Sequence, residues 1–432
     1  TVASTSATAS QLTTVAGATG VNVTATAVET VSGTAGQVDA LLLVEGTGAT
    51  DVNLDDDYNI TINSGTATVT QANAYGAATD GVVTATISDT AVATLDDLTT
   101  ANTDLLSITM AAEAVTAAQL IIINGATGST IDAQAVTGIT GTAAQFESVM
   151  DAEGTSGDKI NLDGDFTVSV SNGTTTAAQL AKIDAKTSKN VDASAVTAIS
   201  GTASQFTTIA AAQGTGDNQY QLKGDVALTV TDTGTVDSGD LATIQGMSTG
   251  FTDATAVATI NGTAAEIKAL LLLEDTTGNK VGLDENFAMT VSSGTATVSD
   301  VNTMSDFSTS GAITATISNT DIADLDDLTT SSADQLTITV ASTTATAAQL
   351  KTVGDATGLN VTATAVQGIS NSSVSQVKAL LTDEGSTGDK VNLDGDFTVA
   401  INDTGTVDAA DLNTINAATS GLVTATSVAT IN

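Results

Sequence analysis

The residues of this chain that could do chemistry are nearly all carboxylates, and they recur on one type of turn. Asp163 and Asp165 flank Gly164, Asp394 and Asp396 flank Gly395, and Asp55 and Asp57 flank Asp56. Asn161 and Asn392 stand just before the first two pairs. Two carboxylates with a neighbouring carboxamide supply hard oxygen ligands of the kind Ca²⁺ prefers. These six aspartates are the candidate calcium ligands, and calcium is the one candidate cofactor. Two further copies of the turn depart from the pattern: Lys223 replaces the first acid in one, and Glu285-Asn286 alters the other. Residues 403–412, DTGTVDAADL, look like half of a calcium loop, but their ligand positions do not line up. The competing reading is a solvated turn, because Asp and Gly are good turn formers in their own right.

No catalytic constellation stands beside these turns. The chain has no His and no Cys, and its ten basic residues are all Lys. A Ser or Thr nucleophile therefore lacks its usual activating base, and the usual soft-metal ligands are missing. Acid pairs of the glycosidase type exist by residue type, but acids that recur once per module read as a structural device. There is no GxxxxGK[ST] loop and no GxGxxG opening a helix. The expectation is a protein that is not an enzyme.

Forty-nine acids against ten lysines give a formal charge of −39. Such a surface repels phosphate, which disfavours nucleic acid and anionic membranes as partners. The longest apolar runs are far too short to span a bilayer, so no direct membrane insertion is expected. Without Cys there is no disulfide framework. The chain begins inside a strand and stops before an expected helix, so an excerpt of a longer polypeptide is expected.

The elements that carry the acids are short and repeated. Residues 346–370, TAAQLKTVGDATGLNVTATAVQGIS, hold one helix, one turn and one strand. Thr346 is the expected N-cap, and Ala347 or Ala348, Leu350 and Val353 fall at helical spacing. Gly358 is read as a positive-φ position ending the turn. Residues 360–366 alternate, with Val361, Ala363 and Ala365 on one face and Thr362, Thr364 and Val366 on the other. Residues 1–28 nearly duplicate residues 339–366. A helix start, GTA followed by x-Q or x-E, recurs at Gly33, Gly141, Gly201 and Gly262, with a degenerate copy at Ser372.

The acidic turns belong to a second motif. It reads GDKINLDGDFTVSV at 157–170 and GDKVNLDGDFTVAI at 388–401, with weaker copies from Thr50, Asn218 and Asn279. The motif predicts an extended segment, a tight turn, and a strand with a buried Phe, Tyr or Val. Spacings between strand centres predict coils of about 24 and about 36 residues. The modules run 1–32 (end of a long one), 33–140 (long), 141–200 and 201–261 (short), 262–371 (long) and 372–432 (short), as one continuous solenoid. Strand–helix–strand alternation implies parallel strands with right-handed crossovers. The fold class is thus α/β, a right-handed solenoid of stacked strand–helix coils with parallel sheet. Thr-x-Thr strands, such as Thr84/Thr86 and Thr314/Thr316, put hydroxyls on its outer face. An ice-binding ladder would be unbroken, and this one is interrupted by Asp132, Gln134, Asp192 and Ser194.

The phrases GTAAQ, GDKVNLDGDFTV and LVTATSVATIN, in a Cys-free acidic chain rich in Thr, Ala and Gly, are similar in style to the giant repetitive cell-surface proteins of marine cyanobacteria, including the swimming-associated type in Synechococcus. They also resemble bacterial repeat adhesins exported by one-step secretion systems. The resemblance implies an extracellular or cell-surface, filament-forming role with possible calcium dependence. The expected partners are copies of the same chain, end to end or side by side, and surface glycans in the alternative reading of an adhesin.

Overall fold

A computed structural model describes residues 1–275, 280–308, 310–388 and 390–432. It is a mixed α/β structure in which short helices alternate with short strands, and the strands pair in parallel. The chain divides into two compact units, residues 1–199 with 211–224 and residues 200–210 with 225–432.

In the first unit, Ser6–Thr8, Thr30–Gly33, Asn59–Ile62, Val83–Thr86 and Leu105–Ser107 form one five-stranded sheet in sequence order. A second runs through Ala114–Thr116, Gly138–Gly141, Thr167–Val170, Val191–Ala193 and Tyr220–Leu222. In the second unit the corresponding sheet is Thr235–Asp237, Thr259–Gly262, Ala288–Val291, Ile313–Thr316 and Gln335–Thr337. Thr344–Ala345, Gly368–Ser372, Thr398–Ile401 and Val423–Thr424 form another. Strand neighbours are sequence neighbours one coil apart, which is what a repeated unit with nothing else to lie on must do.

The pairing register corrects the expected coil length. Ser6 pairs with Thr30, 24 residues on, and Thr30 pairs with Asn59, 29 residues on. Among the described residues no pairing spans 36: the larger coils span 29 or 30, as from Val361 to Val391. The error has a physical origin. Most coils carry two short strands separated by a corner of four or five residues, and these belong to different sheets. Val23 pairs with Val52 in one sheet, while Ile60 pairs with Val31 in another. Counting from Val23 to Ile60 therefore added a corner to a coil. The extra residues of the larger coils close small loops between bridges such as Glu45 to Val52 and Glu153 to Ile160.

Helix starts follow the sequence closely. The GTA markers open helices Ala35–Leu42, Ala143–Ala152, Ala203–Ala211 and Ala264–Leu271. Thr346 caps Ala347–Asp355 with a full capping box: its hydroxyl accepts from the Gln349 backbone N–H while the Gln349 side chain accepts from the Thr346 N–H. Ala347, Leu350 and Val353 are buried and Ala348 is exposed. The expected alternation over 360–366 stops at Ala363, because Thr364 and Ala365 form the corner turn; Ala365 is exposed and Val366 buried. Gly358 does not have positive φ. Its role is close approach: a Cβ there would lie 2.5 Å from the Ser332 carbonyl oxygen of the preceding coil.

At Ser372 the strand bulges between Ile369 and Ser372, with Asn371 at φ +50°. The bulge makes room for a side chain of the kind excluded at the Gly141 marker, where a Cβ would meet the Ala117 methyl at 2.8 Å. Ser372 then uses its hydroxyl to accept from the Ala347 N–H at 2.8 Å.

The core is aliphatic, with Tyr58, Phe166, Val226, Phe287 and Phe397 buried behind the five acidic turns as the motif predicts. One coil carries misfits. Ser238 and Thr252 are fully buried, and their hydroxyls find no partner. The equivalent residues are Ala347 and Val361 in the duplicated unit. Thr252→Val should therefore raise the stability of the second unit by about 1 kcal/mol, by removing an orphaned hydroxyl at nearly constant volume. Urea unfolding checks it: a midpoint unchanged or lowered in Thr252→Val contradicts the assignment.

Candidate functional site

The acidic turns sit where one coil meets the next. Asp55, Asp57, Asp163, Asp165, Asp394 and Asp396 are all exposed. Asp163 and Asp394 end their extended segments, and Asp165 and Asp396 lie in the turn itself. Asn161 is paired opposite Asp132 and Asn392 opposite Thr362. Among the described residues no group of three or more acids converges in a geometry able to hold a metal ion. Asn279 and Asp389, at the start of two motif copies, lie outside the described residues.

Individual carboxylates are already engaged. Asp55 Oδ1 accepts from the Asp56 N–H at 3.0 Å. Asp165 accepts from Lys189 Nζ at 2.8 Å and from the Ser188 hydroxyl at 3.0 Å. These two bonds hold the Asp165 carboxyl below its ordinary range, and the pairing raises Lys189 in turn. Both groups are solvent-exposed, so the pair contributes little to stability.

Beneath each turn lies a contact that the sequence reading missed. Thr187, buried, donates its hydroxyl to the carbonyl of Phe166 at 2.5 Å and accepts from the Lys189 N–H at 3.1 Å. Thr79 does the same for Tyr58, Ser248 for Val226, Ser308 for Phe287 and Thr419 for Phe397. Thr127 and Thr357 form the fullest versions. Thr357 Oγ1 accepts from the Leu336 N–H at 2.9 Å and donates towards the Leu336 carbonyl at 2.9 Å. The signal was present in the sequence as a Thr or Ser 21 or 22 residues after each motif aromatic or valine.

Other acids serve the same purpose at the helix starts. Asp89, Asp232 and Asp403 each accept, at 2.7 Å, the first free N–H of a helix in the preceding coil, from Val69, Ala203 and Val374. Buried Asp104 takes the Val83 N–H with one oxygen and the Ala101 N–H with the other. Asp334 does likewise for Ile313 and Ser331. The capping-box glutamines reach further: Gln71, Gln119 and Gln349 donate their amides to Asp39, Asp96 and Asp326 on the neighbouring helix.

Tyr58 donates to Glu45 at 2.9 Å. Burial pushes the Glu45 carboxyl up despite that bond, and burial with the Glu45 charge pushes the Tyr58 phenol well above its ordinary range. Asp300 is buried enough to be pushed up, yet bonds from Lys268 and Thr297 outweigh this and leave it lowered. An open groove of about 560 Å³ lies over this pair and is lined by Ala265, Ala269, Leu272 and Gly294.

No family model, curated protein or solved structure matches this chain.

The Lys268–Asp300 pair gives a pH prediction. A carboxyl lowered in the folded state stabilises above its unfolded value, ordinarily 3.8, and the effect is lost as pH falls through the folded value. Asp300→Asn should lower stability at pH 7 by the order of 1 kcal/mol, and the gap should close as the pH drops below 3.8. A gap independent of pH in urea titrations would contradict the pairing.

Proposed function

We propose that this chain is a structural repeat segment of an extracellular filament, surface layer or giant surface protein. It catalyses no reaction and assembles with copies of itself. In this reading the strand–helix coils of each unit wind as a right-handed solenoid, the hand favoured for parallel strands joined by helical crossovers.

One observation carries the reading. Side-chain hydroxyls and helix-capping carboxylates are spent on the neighbouring coil at recurring spacings: hydroxyls at 21 or 22 residues, and the carboxylates at 20 or 29. A catalytic or binding site needs polar groups of different kinds converging on one place. Here the same few contacts recur along the chain, which suits a load-bearing element. The acidic surface supports solubility at high copy number, and the style of the repeats supports a cell-surface location.

A second reading is an adhesin or carbohydrate-binding module that uses the exposed strand face. It is favoured by the half-buried column Thr8, Ser32, Thr61 and Thr84, whose residues are direct partners on adjacent strands.

Electron microscopy of the purified chain, with sedimentation over a concentration series, tests the first reading. Filaments or sheets and a rising sedimentation coefficient are expected. A chain that stays monomeric while binding a glycan array saturably would replace the first reading with the second. Turnover on a polysaccharide would overturn both.

A further inference from the structure

Three Asn–Gly pairs occur in the chain, at 124–125, 172–173 and 261–262. They stand in three different backbones. Asn124 and Gly125 close helix Ala117–Gly125. Asn261 is locked in a central strand, partnered by Asp237 on one side and Thr290 on the other. Asn172 alone sits in a bend between strands Thr167–Val170 and Gly173–Thr176, and it is exposed. Its carboxamide has no hydrogen-bond partner among the described residues, and Gly173 has φ +140°.

The position has a counterpart in other coils. Asp232 and Asp403 each stand 29 residues after the first residue of a helix and accept its N–H, from Ala203 and Val374. Asn172 stands at the same spacing from Ala143, the first residue of helix Ala143–Ala152. It is also placed like them with respect to its strand, two residues beyond the last strand residue, as Asp232 is beyond Val230 and Asp403 beyond Ile401. Asn172 carries a carboxamide where those two coils carry a carboxylate.

We propose that Asn172–Gly173 is a spontaneous deamidation site, and that its aspartate product gives helix Ala143–Ala152 the carboxylate cap that Asp232 and Asp403 give to theirs. The backbone nitrogen of Gly173 attacks the side-chain carbonyl carbon of Asn172. A five-membered succinimide forms, the N–H proton passes to solvent, and ammonia leaves with the former amide nitrogen. Water then adds to one of the two ring carbonyls and the C–N bond breaks, giving aspartate or isoaspartate. The co-reactant is water, and no oxidant or reductant is needed. Glycine at 173 matters because no side chain shields its nitrogen. The exposed bend matters because a helical or doubly paired backbone holds the attacking nitrogen away from the carbonyl carbon. The new charge is favourable beside a helix N-terminus, where the unsatisfied N–H groups carry partial positive charge.

The test is incubation of the folded chain at mildly alkaline pH, followed by peptide mass spectrometry at all three Asn–Gly pairs. The expected result is a mass gain of amide to acid at the peptide carrying Asn172, at least about tenfold faster than at Asn124 or Asn261. In urea the three rates should become alike, since only the folded backbone separates them. Equal rates in the folded chain, or no conversion at Asn172 while the urea sample converts, would overturn the site. For the cap, Asn172→Asp should slow amide hydrogen exchange at Ala143 relative to Asn172→Ala. Equal exchange in the two variants would overturn that part.

Discussion

Stability in this chain depends on backbone polar groups at the edge of one coil being satisfied by side chains of the next. Its helices are mostly 8 to 10 residues long, below the length at which a helix persists alone in water. Its strands are two to six residues. Hydrophobic burial brings the coils together and, because the strands alternate buried and outward residues, resists a one-residue slip. The hydroxyl of Thr357 adds a directional constraint, because it bonds to both backbone groups of Leu336 and to the Leu359 N–H. A slip by one residue would orphan all of them in a dry interior, where each unpaired group costs on the order of 1–3 kcal/mol. The apolar alternation and the Thr, Ser and Asp contacts together set the register.

How much of this was legible follows from distance along the chain. Thr346, Leu350 and Val353 announce a capped helix because every partner is within one or two turns. The buried Phe166 and Phe397 were legible because their motif is local and repeated. The coil length was misread because strands such as Thr30–Gly33 look like flanks of the next helix, and only pairing reveals that they form the main sheet. Gly358 was read as a conformational residue, whereas its cause lies in Ser332, a coil away. The acidic turns drew attention by their charge. The neutral threonine 21 or 22 residues later, which fastens the turn, carries no such label.

The charge imbalance has a structural side as well. Every helix start leaves N–H groups without intrahelical acceptors, and in this chain the acceptors come from the preceding Thr and from the following coil's Asp, Asn or Ser. Acceptors for N–H groups at a positive helix end are best made of carboxylates. Helix ends need the reverse, and a minority of the lysines serve there. Lys159 donates to the Asp151 carbonyl at 3.0 Å and Lys390 to that of Thr382 at 2.8 Å. Both stand where a larger coil loops back over the end of its helix. Acids are therefore wanted at many helix starts and lysines at only some helix ends, so repetition of the unit itself drives the composition towards negative charge.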